Sequence, residues 1–220
     1  MELKYLRFKA FTNLMRPFSV RSRRKRMENY VKRMGLREGM SVLDLGGQPM
    51  IWESVRAPLT ITILNLPGVA ENKAVSRHEI DFVEGDACKV TGLDESRFDT
   101  VFSNSVIEHV GPPEKQAEFA GEVRRLGKSY WVQTPSKWFP VEAHCGMPFW
   151  WFYPSRLRRH FLDRWRAKLP GWAGMVEGTR FLTRGEMERL FPEATIWVET
   201  FLGVPKSYVA YYPGQRGSGE

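Results

Sequence analysis

Cysteine is scarce: Cys88 and Cys145 are the only two among 220 residues. Two thiols without metal-ligand spacing build neither a disulfide framework nor a cysteine metal site, which suits a reducing, cytoplasmic setting. Long apolar runs are missing too. No stretch reaches the ~18 uninterrupted apolar residues of a membrane span, and the charged N-terminal segment lacks the apolar core of a signal peptide. Internal repeats are absent. The net charge of +8 is confined to one block: residues 1–40 hold 12 Lys or Arg against 3 acidic residues, and the rest holds 21 against 22. The body is therefore neutral. The basic block around Arg21–Arg26 could meet phosphates or an anionic membrane face, or be a solvated helix face whose apolar side packs on the domain.

What is present reads as one α/β domain. The hydrophobic fraction of 42% and charged fraction of 26% are those of an ordinary globule. Residues 1–40 read as two basic helices packed on that domain, the first through Leu6, Phe8, Phe11 and Leu14 and broken at Pro17. The second runs through Met27, Tyr30, Val31 and Met34 to Gly35. Short β-rich runs follow at Ser41–Leu45, Leu59–Leu64, Ile80–Val83, Thr100–Ser103 and Ser129–Gln133, the pattern of a parallel sheet with crossovers. Pro113–Leu126 is the clearest crossover helix, with Pro113 in its first turn and Gly127 at its stop. Glu108 and His109 are read as opening a helix after the fourth strand. From Pro135 to Leu169 aromatics crowd together with interleaved arginines; Pro170-Gly171 reads as a turn, and a helix follows from Thr183 to Leu190. Thr195–Phe201 and Ser207–Tyr212 read as an antiparallel pair at the sheet edge, joined by Gly203-Val204-Pro205. The domain is thus expected over 41–212, with an aromatic substrate-side insertion at 135–190 and a flexible Gly-rich tail at 213–220.

The first strand ends in Leu43-Asp44-Leu45-Gly46-Gly47. A dinucleotide site needs further glycines in the following stretch to seat a pyrophosphate, but Gln48 and Met50 there are not glycine. An acidic residue two places before the first glycine suits a ligand with positive charge instead. Gly85-Asp86-Ala87 follows the third strand, and Phe98–His109 spans the fourth strand and its turn. In this order and at these spacings the segments resemble the motifs of class I S-adenosylmethionine-dependent methyltransferases, over roughly Ser41 to Pro135. The resemblance implies a Rossmann-like α/β fold: a seven-stranded, mostly parallel sheet with one antiparallel edge strand and helices on both faces.

The resemblance also implies S-adenosyl-L-methionine as cofactor. Gly46, Gly47 and Gln48 would border the methionine moiety, with Asp44 organising the turn or reaching the ammonium group through water. Asn65 takes the ribose position, usually acidic in the family; an amide can accept one hydrogen bond there and donate another. Leu66 would line the adenine, Asp86 would accept from its amino group, and the Ala87 backbone would read a ring nitrogen. Ser103, Asn104 and Ser105 would face the reacting centre.

Methyl transfer is an in-line displacement that needs alignment, exclusion of water and sometimes removal of one proton. No Asn-Pro-Pro-Tyr follows the fourth strand, no Pro-Cys nucleophile exists, and no carboxylate set of the catechol type is legible. The expectation is metal-free transfer to O or N of a small, hydrophobic or aromatic acceptor. His144 is the first candidate general base and His109 the second. Trp138, Phe139, Glu142, Trp150 and Trp151 are the candidate acceptor-binding residues. Two alternatives stay open: an RNA- or lipid-directed methyltransferase using the basic block, with peripheral membrane contact, and a non-catalytic, cofactor-binding regulatory protein. The glycine pattern and the lack of a Tyr-x-x-x-Lys pair after the first strand argue against a nicotinamide oxidoreductase.

Overall fold

The structure, a computed structural model, describes residues 20–69, 76–142 and 144–214. Strands β1 (Ser41–Leu45), β2 (Thr60–Asn65), β3 (Glu79–Glu84), β4 (Thr100–Asn104), β5 (Tyr130–Pro135), β6 (Thr195–Phe201) and β7 (Val204–Tyr212) form one sheet. Their order is β3-β2-β1-β4-β5-β7-β6. Six strands run parallel, and β7 is antiparallel to both its neighbours, β5 and β6. The reversed strand thus lies one place in from the edge, and β6 is outermost.

Strand alternation feeds two cores. On one face Val42, Ile61, Ile63, Phe102, Trp131 and Val209 pack under Met27 and Tyr30 of helix α1 (20–34) and under Trp52. Trp52 belongs to a short 3-10 helix, Pro49–Ser54, that replaces a longer crossover between β1 and β2. On the other face Leu43, Leu45, Val101, Tyr130 and Val132 pack under α2 (Pro113–Leu126) and α5 (Arg184–Leu190), through Phe119, Val123, Met187 and Phe191. Thr183 caps α5 in a reciprocal box with Glu186.

Helix α1 stops at Gly35, whose φ of 65° supplies the left-handed residue that ends many helices. The expected first helix, its break at Pro17 and residues 215–220 of the expected tail lie outside the described residues. Three local expectations are corrected. Glu108 and His109 sit in a turn, and the helix starts only at Pro113. Pro170 begins helix α4 (Pro170–Gly178), because a proline in the first turn gives up an amide that has no helical partner anyway. The β6–β7 link is the two-residue turn Leu202-Gly203, both at positive φ (49° and 80°), as tight hairpins favour. Strand β7 therefore starts at Val204. It carries a bulge: Glu199 pairs with Ser207 and Thr200 with Pro205, which leaves Lys206 over.

The insertion after β5 builds its own small core. Trp150, Cys145 and Val176 are buried there with Tyr153, Phe161, Trp165 and Trp172 around them. These side chains come from α3 (Ser155–Arg166), α4 and the loop before them.

Candidate active site

The carboxyl ends of β1, β2, β4 and β5 carry the site. At the end of β1 the chain turns through Gly46 at φ 73°. A side chain here would also strike Val106, which stands 2.6 Å from an ideal Cβ. At Gly47 the space of a Cβ is taken by the Asp44 carboxylate, 1.8 Å away. Asp44 is fully buried; one oxygen accepts from Trp52 Nε1 at 2.8 Å and the other, Oδ1, has no partner among the described residues. Burial pushes its pKa up to about 7, with the Trp52 bond opposing. An unsatisfied carboxylate oxygen under a glycine turn is a place where a cationic ligand would be stabilised.

Asn65 ends β2, and its Nδ2 donates to the Gly47 carbonyl at 3.1 Å. The amide ties the glycine turn to the neighbouring strand, which an acid at this position could do only when protonated. Gln48 and Leu66 are exposed beside the turn. Asp86 organises the turn after β3, accepting from the Cys88 amide at 2.8 Å, with Ala87 half-buried between them. Ser103 is buried and bonded to the Leu45 carbonyl. Ser105 holds a positive φ of 59° and is bonded to Gln133 through its backbone and its side chain.

A cavity of about 500 Å³ lies beyond Asn104 and Ser105. Its apolar walls include Phe139, Val141, Trp151, Phe181 and Phe201, and its polar walls include Gln133, Glu142, Arg26 and Lys206. Of the five acceptor-binding candidates, Phe139, Glu142 and Trp151 line this cavity. Trp150 is buried in the insertion's core, and the exposed Trp138 packs against Phe152 with ring centroids 5.5 Å apart and the rings tilted by 44°.

Arg26, Lys206, Phe181 and Phe201 were not legible as site residues, because they come from segments distant in sequence. Arg26 sits in the basic block, yet its side chain is buried against Glu199 (Nη2–Oε2 2.7 Å) and donates to Asn104 Oδ1 at 2.6 Å and Gln133 Oε1 at 3.1 Å. Glu199 also accepts from Ser22 and Ser207, each at 2.6 Å. Burial would raise the Glu199 pKa, but Arg26 and the two hydroxyls pull it down to about 2. Lys206, the extra residue of the bulge, reaches Ser22 and stands 3.9 Å from Glu199. Burial lowers its pKa, with Glu199 opposing.

Both candidate histidines stand behind Glu142 rather than on the cavity wall. Glu142 Oε1 meets His144 Nδ1 at 2.7 Å, and His144 Nε2 meets His109 Nε2 at 3.0 Å. Thr179 Oγ1 donates to the Met175 carbonyl, so it accepts from His109 Nδ1 at 3.3 Å. These directions leave the His109 Nε2 lone pair facing a proton on His144 Nε2. Desolvation and the neighbouring His144 charge lower His109 to about 4. His144 moves up against its own desolvation, because Glu142 and Glu108 favour its charged form. Glu108 is buried next to them, accepting from Thr134 at 3.0 Å with Oε1 unpartnered among the described residues; burial lifts its pKa to about 7. Ligating atoms of Glu108, His109 and His144 all lie within 4.8 Å of one another. Metal-free chemistry is the expectation from the sequence, where no local spacing marks this set.

Residues 63–129 match the family model described as a methyltransferase domain. An uncharacterised protein of Mycobacterium tuberculosis strain H37Rv is 33% identical over 73 residues, 32% of this chain and 25% of that relative. Similar solved structures include an O-methyltransferase family protein from Burkholderia thailandensis, at TM-score 0.53 and 14% identity, covering 94% of this chain and 59% of that one. A putative methyltransferase from an antibiotic biosynthesis pathway of Anabaena variabilis matches at TM-score 0.53 and 16% identity, covering 80% and 64%. Haemonchus contortus phosphoethanolamine N-methyltransferase 2, solved with S-adenosyl-L-methionine, matches at 0.50 and 14%, covering 78% and 37%. At these identities the likeness establishes the fold, the Rossmann-like sheet of methyltransferases.

Proposed function

We propose that this chain is an S-adenosylmethionine-dependent methyltransferase that modifies oxygen or nitrogen of a small, partly apolar acceptor. The observation that carries the reading is the aromatic-walled cavity at the carboxyl ends of β4 and β5, on the same edge of the sheet as the glycine turn that ends β1. The residues of the turn fit the cofactor. Gly47 has no room for a side chain, and Asp44 Oδ1 lacks, among the described residues, a partner that an ammonium group, directly or through water, would supply. Asn65 has its carbonyl oxygen to offer a ribose hydroxyl while its amide NH2 holds the turn.

The bound cofactor supplies a methyl group already activated by the sulfonium. The chain's own residues do the rest. Phe139, Trp151, Phe181 and Phe201 exclude water and hold the apolar part of the acceptor. An amine acceptor needs only its lone pair aligned. A hydroxyl acceptor must also lose a proton, and the cavity-lining Glu142, whose carboxylate is held by His144 and by the amides of His144 and Cys145, would have to give up one of those bonds to take it. The burial of Arg26 and the placement of Arg33 over Trp197 and Tyr211 remove two cations from the basic block. That favours a small acceptor over a polyanion.

The test is direct. S-adenosylhomocysteine should bind the purified protein in calorimetry with a stoichiometry of one. Labelled methyl from S-adenosylmethionine should then pass to a member of an acceptor panel of small phenols, amines and carboxylates. Absence of cofactor binding at millimolar ligand would overturn the proposal.

A further inference from the structure

We propose that Glu108, His109 and His144 form a binding site for a divalent cation of the zinc class, behind the acceptor cavity. The two imidazoles present their Nε2 atoms to each other at 3.0 Å. Each is fixed from the far side. Glu142 accepts from His144 Nδ1 at 2.7 Å, and Thr179 accepts from His109 Nδ1 at 3.3 Å. Metal-binding histidines are oriented in this way, with the non-ligating nitrogen bonded to a carboxylate or another acceptor. The third group, Glu108, is fully buried, and its Oε1 has no hydrogen-bond partner among the described residues. An orphaned carboxylate oxygen beside two converging imidazole nitrogens makes a donor set of two histidines and one glutamate, which catalytic zinc sites use with a fourth position open.

Distances decide whether an ion fits. At Zn–N bonds of ~2.0–2.1 Å, two ligands of a tetrahedral ion stand roughly 3.3–3.4 Å apart. The imidazoles need to separate by only a few tenths of an ångström, the cation taking the place of the proton they share. One Glu108 carboxylate oxygen lies within 4.8 Å of a ring nitrogen of each histidine and has to close by about an ångström or a little more to reach the same ~3.4 Å spacing. Three protein ligands leave a fourth position for water or an acceptor oxygen. Glu142 and Phe181, which touch His144, also line the acceptor cavity.

The site is independent of the cofactor, so the experiment uses metal alone. Protein dialysed against chelator is titrated with Zn²⁺ in calorimetry, and with Co²⁺ in visible absorption. One Zn²⁺ per chain and the intense visible bands of four-coordinate Co²⁺ are expected. His109→Ala and His144→Ala should each weaken Zn²⁺ binding at least 100-fold, whereas His160→Ala, at an exposed histidine outside the cluster, should leave it unchanged. Glu142→Gln keeps a hydrogen-bond acceptor for His144 but removes its charge. It should weaken the metal about 10–100-fold, the usual cost of losing such a partner. Thermal melts report whether each variant folds. If the alanine variants do not, Glu142→Gln and the wild-type Co²⁺ spectrum decide. Substoichiometric binding, six-coordinate pale Co²⁺, or equal affinity in wild type and folded variants would overturn the proposal. A protein that binds S-adenosylhomocysteine but no metal would fail this inference alone.

Discussion

Arg26 of the basic N-terminal helix and Glu199 of the outermost strand are locked together, Nη2 to Oε2 at 2.7 Å, with both side chains under 10% exposed. The contact joins elements 173 residues apart and closes one wall of the cavity.

Removing one partner of such a pair leaves a buried charge without compensation. Arg26→Met is expected to lower the unfolding free energy by about 3–5 kcal/mol. The double variant Arg26→Met with Glu199→Leu should recover most of that loss, since two apolar groups need no counter-charge. Urea denaturation of the wild type, the singles and the double measures both. A cost for the single variant under ~1 kcal/mol, the range of exposed pairs, would contradict the buried geometry.

The same pair sets an acid limit. Glu199 titrates at about 2 in the fold against an ordinary 4.5. Its stabilisation is complete above about 4.5 and is lost as pH falls from there through about 2. The stability difference between wild type and Glu199→Gln should therefore shrink steadily across that window. A difference independent of pH would show that the carboxylate is unperturbed.

Asp44 runs the other way. Its pKa is raised from 3.8 to about 7, so the fold prefers the neutral acid, and ionisation costs stability as pH climbs through that range. Above pH 7 the full cost is present. Asp44→Asn can still accept from Trp52 and should stabilise the ligand-free protein at pH 8 by roughly 1–3 kcal/mol. The same change should weaken S-adenosylhomocysteine more than tenfold, by removing the charge that faces its ammonium group. Melting curves and calorimetry at pH 5 and pH 8 separate the two effects.

Much of the fold is readable from local pattern. Strands β1 and β6 and helix α2 have the expected bounds, because their alternation, prolines and glycines act within a few residues. The site is readable only where it is local. Asp44, Gly46 and Gly47 share one turn, and Asn65 ends the next strand. The cavity is not local: Arg26, Gln133, Phe181 and Lys206 meet only after strand order and the bulge have placed them. Arg26 shows the difficulty most plainly. A helix with four cations in a row of five at Arg21, Arg23, Arg24 and Lys25 gives no sign that the next one turns inward. The histidine cluster is hidden for the same reason, its members lying 35 residues apart on loops after adjacent strands.

Gly47 offers the sharpest test of the cofactor turn. An alanine Cβ would lie 1.8 Å from the Asp44 carboxylate, so either the turn or the acid must move. Gly47→Ala is expected to cost about 1–3 kcal/mol in stability, as other overpacked sites do. It should also abolish S-adenosylhomocysteine binding at ligand concentrations that saturate the wild type. Gly121→Ala, in an open position on α2, is the control and should leave both unchanged or slightly improve stability.

The tryptophans of the insertion separate packing from recognition. Trp150 is 2% exposed within the insertion's core, and Trp138 is 51% exposed. Trp150→Ala should cost about 3–5 kcal/mol, the usual result of emptying an aromatic site, whereas Trp138→Ala should stay within about 0.5 kcal/mol. Trp151 stands between these cases: half-buried, packed on Phe181 with centroids 4.8 Å apart, and on the cavity wall. Its replacement by alanine should raise KM for the acceptor several-fold while the cofactor Kd stays constant, since its contacts lie on the acceptor side. A Trp151→Ala variant that lost cofactor and acceptor together would instead show that the insertion folds over both, with Trp151 acting as part of its core.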